Sequence, residues 1–152
     1  MTTQQFVPIQ RANRLERIRH RTQFDVVLAG YPLVKTPHFA LHMADTSAHA
    51  DPHGVFPGGG LWLGVLIPKR WARRAVTRNA LRRQIYAVAR ELAPGLPPQG
   101  LVVRLRSGFS KTEFLSATSE VLKRAARAEL LLLLGDPRLA QRAAAVAGGA
   151  HA

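Results

Sequence analysis

From His38 to Ala44 the chain alternates with a period of two, so that Phe39, Leu41 and Met43 fall on one face and His38, Ala40 and His42 on the other. Such alternation predicts a half-buried strand. Leu61-Trp-Leu-Gly-Val-Leu-Ile67 is instead a continuous apolar run closed by Pro68. That pattern predicts an interior strand covered on both faces, with Gly64 leaving room for close approach from one side. A helical period takes over from Ala72 to Ala93, where Leu81, Ile85, Val88 and Leu92 recur at i, i+4, i+7 and i+11. They mark a narrow core-facing stripe. Pro94-Gly95 ends this helix, and Leu101 to Arg106 predicts a further strand.

Two more helices are signalled by their ends. Thr22 is a candidate N-cap with Asp25 three positions on, Phe24, Val27 and Leu28 share a face, and Gly30 supplies a stop. Ser110 with Glu113 forms a capping box for a last helix reaching about Leu134, its buried face marked by Phe114, Thr118, Val121, Leu122 and Ala125. Residues 45–60 hold two prolines and four glycines and predict a mobile loop. The order α-β-β-α-β-α describes one mixed domain over residues 14–134. It is flanked by a flexible N-terminal segment, 1–13, and a low-complexity, Ala-rich tail, 135–152, expected to fray.

Charge sharpens this picture. The 152 residues carry 22 Lys+Arg against 9 Asp+Glu, a formal net charge of +13. A compact domain with that excess repels itself, and such a field suits a polyanionic partner. The cations are clustered: Arg11, Arg14, Arg17, Arg19 and Arg21, then Lys69, Arg70, Arg73, Arg74, Arg78, Arg82, Arg83 and Arg90, with no acid between residues 69 and 90. A solvated helix face normally mixes both signs, because like charges at i,i+4 destabilise a helix. Asn79, Arg82, Arg83, Tyr86 and Arg90 form a polar stripe beside the apolar one. Arginine dominates, and its planar fork grips phosphate in two places. Nucleic acid is the partner this implies.

Other classes recede. Without cysteine there is no disulfide partner and no Cys-based zinc site. No apolar run approaches the roughly 18–20 residues of a spanning helix, and the N-terminus lacks a signal-peptide layout, so a cytoplasmic protein with no membrane partner is expected. The nine carboxylates are scattered, with no pair at a spacing that builds a metal-dependent nuclease centre. Asp45, His49, Asp51 and His53 sit on a Gly-Pro loop that lacks the rigid spacing of a metal site.

The stretch from Gly64 to Ile85, Gly-Val-Leu-Ile-Pro-Lys-Arg-Trp-Ala-Arg-Arg-Ala-Val-Thr-Arg-Asn-Ala-Leu-Arg-Arg-Gln-Ile, resembles the bacterial ribonuclease P protein subunit. That family's signature is a strand ending in two basic residues, then Ala-Val, then Arg-Asn-x-x-Lys/Arg-Arg opening a helix. Upstream, Arg14-Leu15 and Phe24 to Gly30 are similar to the family's basic N-terminus and first helix. Downstream, Gly100 to Arg106 is similar to its last strand. The resemblance covers about Arg14 to Leu134.

It implies an α+β fold, a two-layer α/β sandwich of αββαβα type with a mixed sheet and a left-handed βαβ crossover, as in a domain of a ribosomal small-subunit protein. Physics alone favours the right-handed crossover, seen in about 98% of cases. The resemblance further implies the protein component of a ribonucleoprotein endoribonuclease that removes the 5′ leader of precursor tRNA. The catalytic RNA carries the chemistry and holds most of the Mg2+, and no protein residue is catalytic. Lys69, Arg70, Arg73, Arg74, Arg78, Asn79, Arg82, Arg83, Tyr86 and Arg90 would bind the catalytic RNA. Arg14, Arg17, Phe24 and His42 would meet the leader, and His38 shares the strand face of His42. Tyr86, Ala87 and Ala80 depart from the residues usual in the family's motif. The rival readings are a non-catalytic RNA-binding or ribosomal protein that shares the fold, and a stand-alone metal nuclease.

Overall fold

The computed structural model describes residues 14–109 and 120–150. Five strands form one sheet in the order β1-β4-β5-β3-β2. They are β1 (Leu15–Arg17), β2 (Val34–Lys35), β3 (Phe39–Ala44), β4 (Leu61–Leu66) and β5 (Gly100–Leu105). The helices are α1 (Arg21–Leu28), α2 (Ala75–Leu92), α3 (Glu120–Leu134) and α4 (Pro137–Ala150). β1, β4 and β5 run parallel, whereas β3 is antiparallel to both β5 and β2. The sheet is therefore mixed, and α2 connects the parallel neighbours β4 and β5.

Register explains the two faces. Val65, Val103, Leu41 and Val34 align across four strands, and Leu63 with Leu101 and Leu105 with Phe39 flank that row. These side chains join Leu81, Ile85 and Val88 of α2 and Ala126, Leu130 and Leu133 of α3 in the main core. The opposite face carries a smaller cluster of Ile18, Val27, Phe56 and Val102, with Phe24, Trp62 and Leu66 packed against it. Gly64 belongs to this second face: a Cβ there would lie 2.6 Å from Phe24 Cε1 and 3.0 Å from Ile18 Cβ. The close approach the sequence suggested at Gly64 is therefore made by α1.

Several expectations are corrected. β3 is covered on both faces, because α1 lies over the side that bears Ala40 and His42. The 45–60 loop is anchored by the fully buried Phe56 and by the Thr46 hydroxyl, which donates to the Gly60 carbonyl at 2.6 Å. Gly58, Gly59 and Gly60 have φ of 80°, 62° and 83°, so only glycine turns the chain into β4 without strain. His20, not Thr22, is the N-cap of α1, where Gln23 accepts the Arg19 and His20 backbone N–H groups at 2.9 and 3.0 Å. α2 begins at Ala75, leaving Lys69 to Arg74 in the preceding loop.

On α3 the buried face is Leu122, Ala126, Leu130 and Leu133, while Val121 is exposed. The proposed capping box and the placements of Phe114 and Thr118 lie outside the described residues, as do Arg11 and the 1–13 segment. The Ala-rich tail forms α4 instead of fraying, because alanine loses little on entering a helix and Leu139 is buried in the main core. β1 and β2, too short to show a period, are strands the sequence did not reveal.

Candidate nucleic-acid interface

α2 separates packing from charge. Its Leu81, Ile85 and Val88 are sealed in the core, whereas Arg83 and Arg90 are exposed and Arg82 half-buried on the other side. Arg82 reaches toward Asn79 Oδ1, 3.5 Å away. Before the helix, Lys69, Arg70, Arg73 and Arg74 are all exposed, and the Arg70 guanidinium sits 5.3 Å from the Trp71 ring centre. Arg78 turns back onto this loop: its Nη1 donates to the Ala72 and Arg73 carbonyls at 3.1 and 2.7 Å. It holds the basic loop against the first turn of the helix.

Strand alternation in β1 sends Leu15 and Arg17 to the α2 side, because they pair with Leu61 and Leu63. Arg17 consequently lies with its guanidinium carbon 4.1 Å from the centre of the Tyr86 ring, and Tyr86 beneath it is only 8% exposed. Lys123 of α3 completes a groove of about 480 Å³ that Arg17, Asn79, Arg83, Tyr86 and Arg90 also line. Sequence reasoning missed Lys123, which reaches the stripe only through the packing of α3 on α2. That packing is supported at its rim by the Arg127–Glu91 pair at 2.6 Å, whose hydrogen bond lowers the carboxyl's proton affinity and raises the guanidinium's.

The grouping of Arg14, Arg17, Phe24 and His42 is divided by the sheet. Arg17 is on the α2 side. Arg14 is exposed and paired with Glu16 at 2.9 Å. Phe24 is half-buried over Gly64, and His42 lies in the same strand row, through Val102. His42 is 5% exposed, not a surface group: its Nδ1 lies 3.2 Å from the Gly30 carbonyl, to which an Nδ1–H donates. Burial holds its imidazole below the ordinary value; the Gly30 bond opposes this and the charge of Arg104 adds to it. His38 leaves that face. Its ring stacks on Phe109 at 3.9 Å, and its Nδ1 lies 2.8 Å from Glu129 of α3.

Comparison with known proteins agrees with this architecture. The Ribonuclease P family model matches residues 12–129. The ribonuclease P protein component of Bordetella petrii is 38% identical over 114 residues, covering 75% of this chain and 85% of that one. That of Ralstonia pickettii is 31% identical over 117 residues, covering 77% and 75%. Among solved structures, the RNase P protein of Staphylococcus aureus superposes with a TM-score of 0.60 at 15% identity, covering 83% of this chain and 98% of that one. The RNase P protein of Thermotoga maritima gives 0.55 at 21% identity, covering 78% and 94%. At those identities the structures speak for the fold, which is the mixed five-stranded α+β arrangement described above.

Proposed function

The chain belongs to the ribonuclease P protein family, whose members are parts of a ribonucleoprotein, and on that premise we propose that it binds a catalytic RNA and the 5′ leader of precursor tRNA in the cytoplasm. It thereby assists endonucleolytic removal of the leader. The observation that carries this reading is α2 itself, with one stripe sealed in the core and the other offering Arg82, Arg83 and Arg90, preceded by the exposed cations Lys69 to Arg74. Catalytic RNA and precursor tRNA are both polyanions and repel each other. Arginines on the protein displace counter-ions from the phosphates and let the two approach at lower salt cost.

On the opposite face Phe24 offers its ring for stacking to an unpaired leader base, with His42 farther along the same strand row. Arg14 extends the basic N-terminal side. Magnesium held mainly by the RNA would supply the charge for phosphodiester hydrolysis, a division of labour in keeping with the scattering of the nine carboxylates along the chain. The protein's residues bind and position.

The test adds purified protein to a bacterial ribonuclease P RNA at a magnesium concentration where the RNA alone is slow, and follows precursor-tRNA cleavage. Stimulation is expected, with no cleavage by the protein alone. Binding without stimulation would mark a non-catalytic RNA-binding or ribosomal protein. Cleavage by RNA-free protein would mark a nuclease in its own right.

A further inference from the structure

The groove beside Tyr86 has a composition that a phosphate-binding stripe does not require. An aromatic ring lies under a guanidinium, and both line a cationic recess fed by three different elements. Arg17 comes from β1, Tyr86 and Arg90 from α2, and Lys123 from α3. Among the described residues no carboxylate pairs with Arg17, since Glu16 is taken by Arg14. Arg17 is exposed while Tyr86 is nearly covered, so the guanidinium caps the ring and its outer side is open. The recess, about 480 Å³, falls within the roughly 300–1,000 Å³ of small-ligand sites.

We propose that this groove takes one unpaired nucleotide of the partner RNA, with its base laid on the open face of Arg17 and its flanking phosphates held by Arg83, Arg90 and Lys123. The inference rests on the reading of α2 as an RNA-binding helix and adds to it a base contact at a defined place. Arginine planes and aromatic rings are the surfaces on which splayed RNA bases stack. Here the Tyr86 ring fixes the plane in advance, so less freedom is lost when the base arrives. Position 86 thus contributes through Arg17, not by touching RNA. Its hydroxyl is unnecessary to the platform, and its ring is essential.

The experiment measures equilibrium binding of a bacterial ribonuclease P RNA to the wild-type chain and to Arg17→Lys, Tyr86→Phe and Tyr86→Leu across a salt series. Base accessibility in each complex is mapped with dimethyl sulfate. Arg17→Lys keeps the charge and removes the plane. It is expected to weaken binding roughly tenfold, near the low end for one stacked base, with an unchanged salt slope. One unpaired base protected in the wild-type complex should become reactive again. Tyr86→Leu should do the same, while Tyr86→Phe should bind within about twofold of wild type, the ring being all the platform uses. Melting temperatures separate binding loss from unfolding, and the base-reactivity map is read below the lowest of them. Wild-type affinity and an unchanged map for Arg17→Lys would overturn the nucleotide pocket while leaving RNA binding by α2 intact. Failure of the wild-type chain to bind RNA would overturn both.

Discussion

Arg83 and Arg90 stand outside the core that Leu81, Ile85 and Val88 build on the same helix, whereas Phe24 and His42, the candidate contacts on the other face of the sheet, are part of what packs there. The α2 side divides labour between stripes of one element, so its charges are free for a ligand. The α1 side asks the same residues to hold α1 on the sheet and to meet a substrate. Substitutions on the first surface should therefore change binding without changing stability, and substitutions on the second should change both.

The largest effect is expected from replacing Arg82, Arg83 and Arg90 together by Ala. Each phosphate contact contributes about 0.7–0.9 to the slope of log affinity against log salt, so the slope for catalytic-RNA binding should drop by roughly two to three and affinity by about 100-fold near 0.1 M salt. Melting temperature should stay level or rise slightly, because Arg82 repels Arg78 one helical turn away. A salt series and a thermal melt check this. A parallel loss of stability would place these arginines in the packing and erase the contrast between the two faces.

The sequence showed these surfaces unequally, for physical reasons. The α2 stripe was legible because helical spacing sorts Leu81, Ile85 and Val88 from Arg82, Arg83 and Arg90 within a single element, with no tertiary information needed. The face of β3 bearing His42 was not legible. Alternation tells which residues share a face, but whether that face is open depends on α1, a separate element that folds back over it. The place of Arg17 beside Tyr86, on the α2 side, and the part played by Lys123 were hidden for the same reason. β1 is three residues long and has no period to read, and Lys123 joins the groove only after α3 docks on α2. Arg78 read as one more phosphate ligand, yet its two bonds to the Ala72 and Arg73 carbonyls make it the brace of the basic loop.

Gly64→Ala sharpens the contrast from the α1 side. The added Cβ would sit 2.6 Å from the Phe24 ring and 3.0 Å from Ile18 Cβ. The half-exposed ring can tilt away, but Ile18 is buried in the β1 connection. Overpacking of this kind costs about 1–3 kcal/mol, and for a domain of this size the melting temperature should fall by roughly 4–10 °C. Below that melt, binding of catalytic RNA through α2 should stay within about twofold of wild type, while precursor-tRNA binding weakens as Phe24 is displaced. Equal losses on both RNAs would mean that the faces are coupled through the sheet.

Phe24→Leu probes the double duty more gently. Leucine keeps most of the apolar contact with Gly64 and Ile18 but removes the π-face. Affinity for precursor tRNA should fall by about 1–2 kcal/mol with mature tRNA almost unaffected. Stability should drop by around 1 kcal/mol or less. Binding to both tRNAs, measured beside a melt, gives the partition. A loss fully accounted for by unfolding would leave Phe24 a packing residue alone.

The smallest effect separates the faces by pH. Histidine is the side-chain type that changes charge near neutrality, and His42 is placed on the α1 face for it. Burial, with Arg104 nearby, lowers its proton affinity in the folded chain against the partial opposition of the Gly30 carbonyl. A folded value below the unfolded one, near 6.5, means that the unfolded chain takes up the proton first as pH falls. The stabilisation is whole above about 6.5 and is lost as pH drops toward the folded value. His42→Asn keeps a donor for Gly30 and removes the titration, so the gap in melting temperature between wild type and variant should be widest near pH 8 and narrow toward pH 5. The other histidines cancel in that difference. A gap that stays constant across the range would show that His42 is not desolvated under α1, and the α1 face would then be as open to solvent as the stripe on α2.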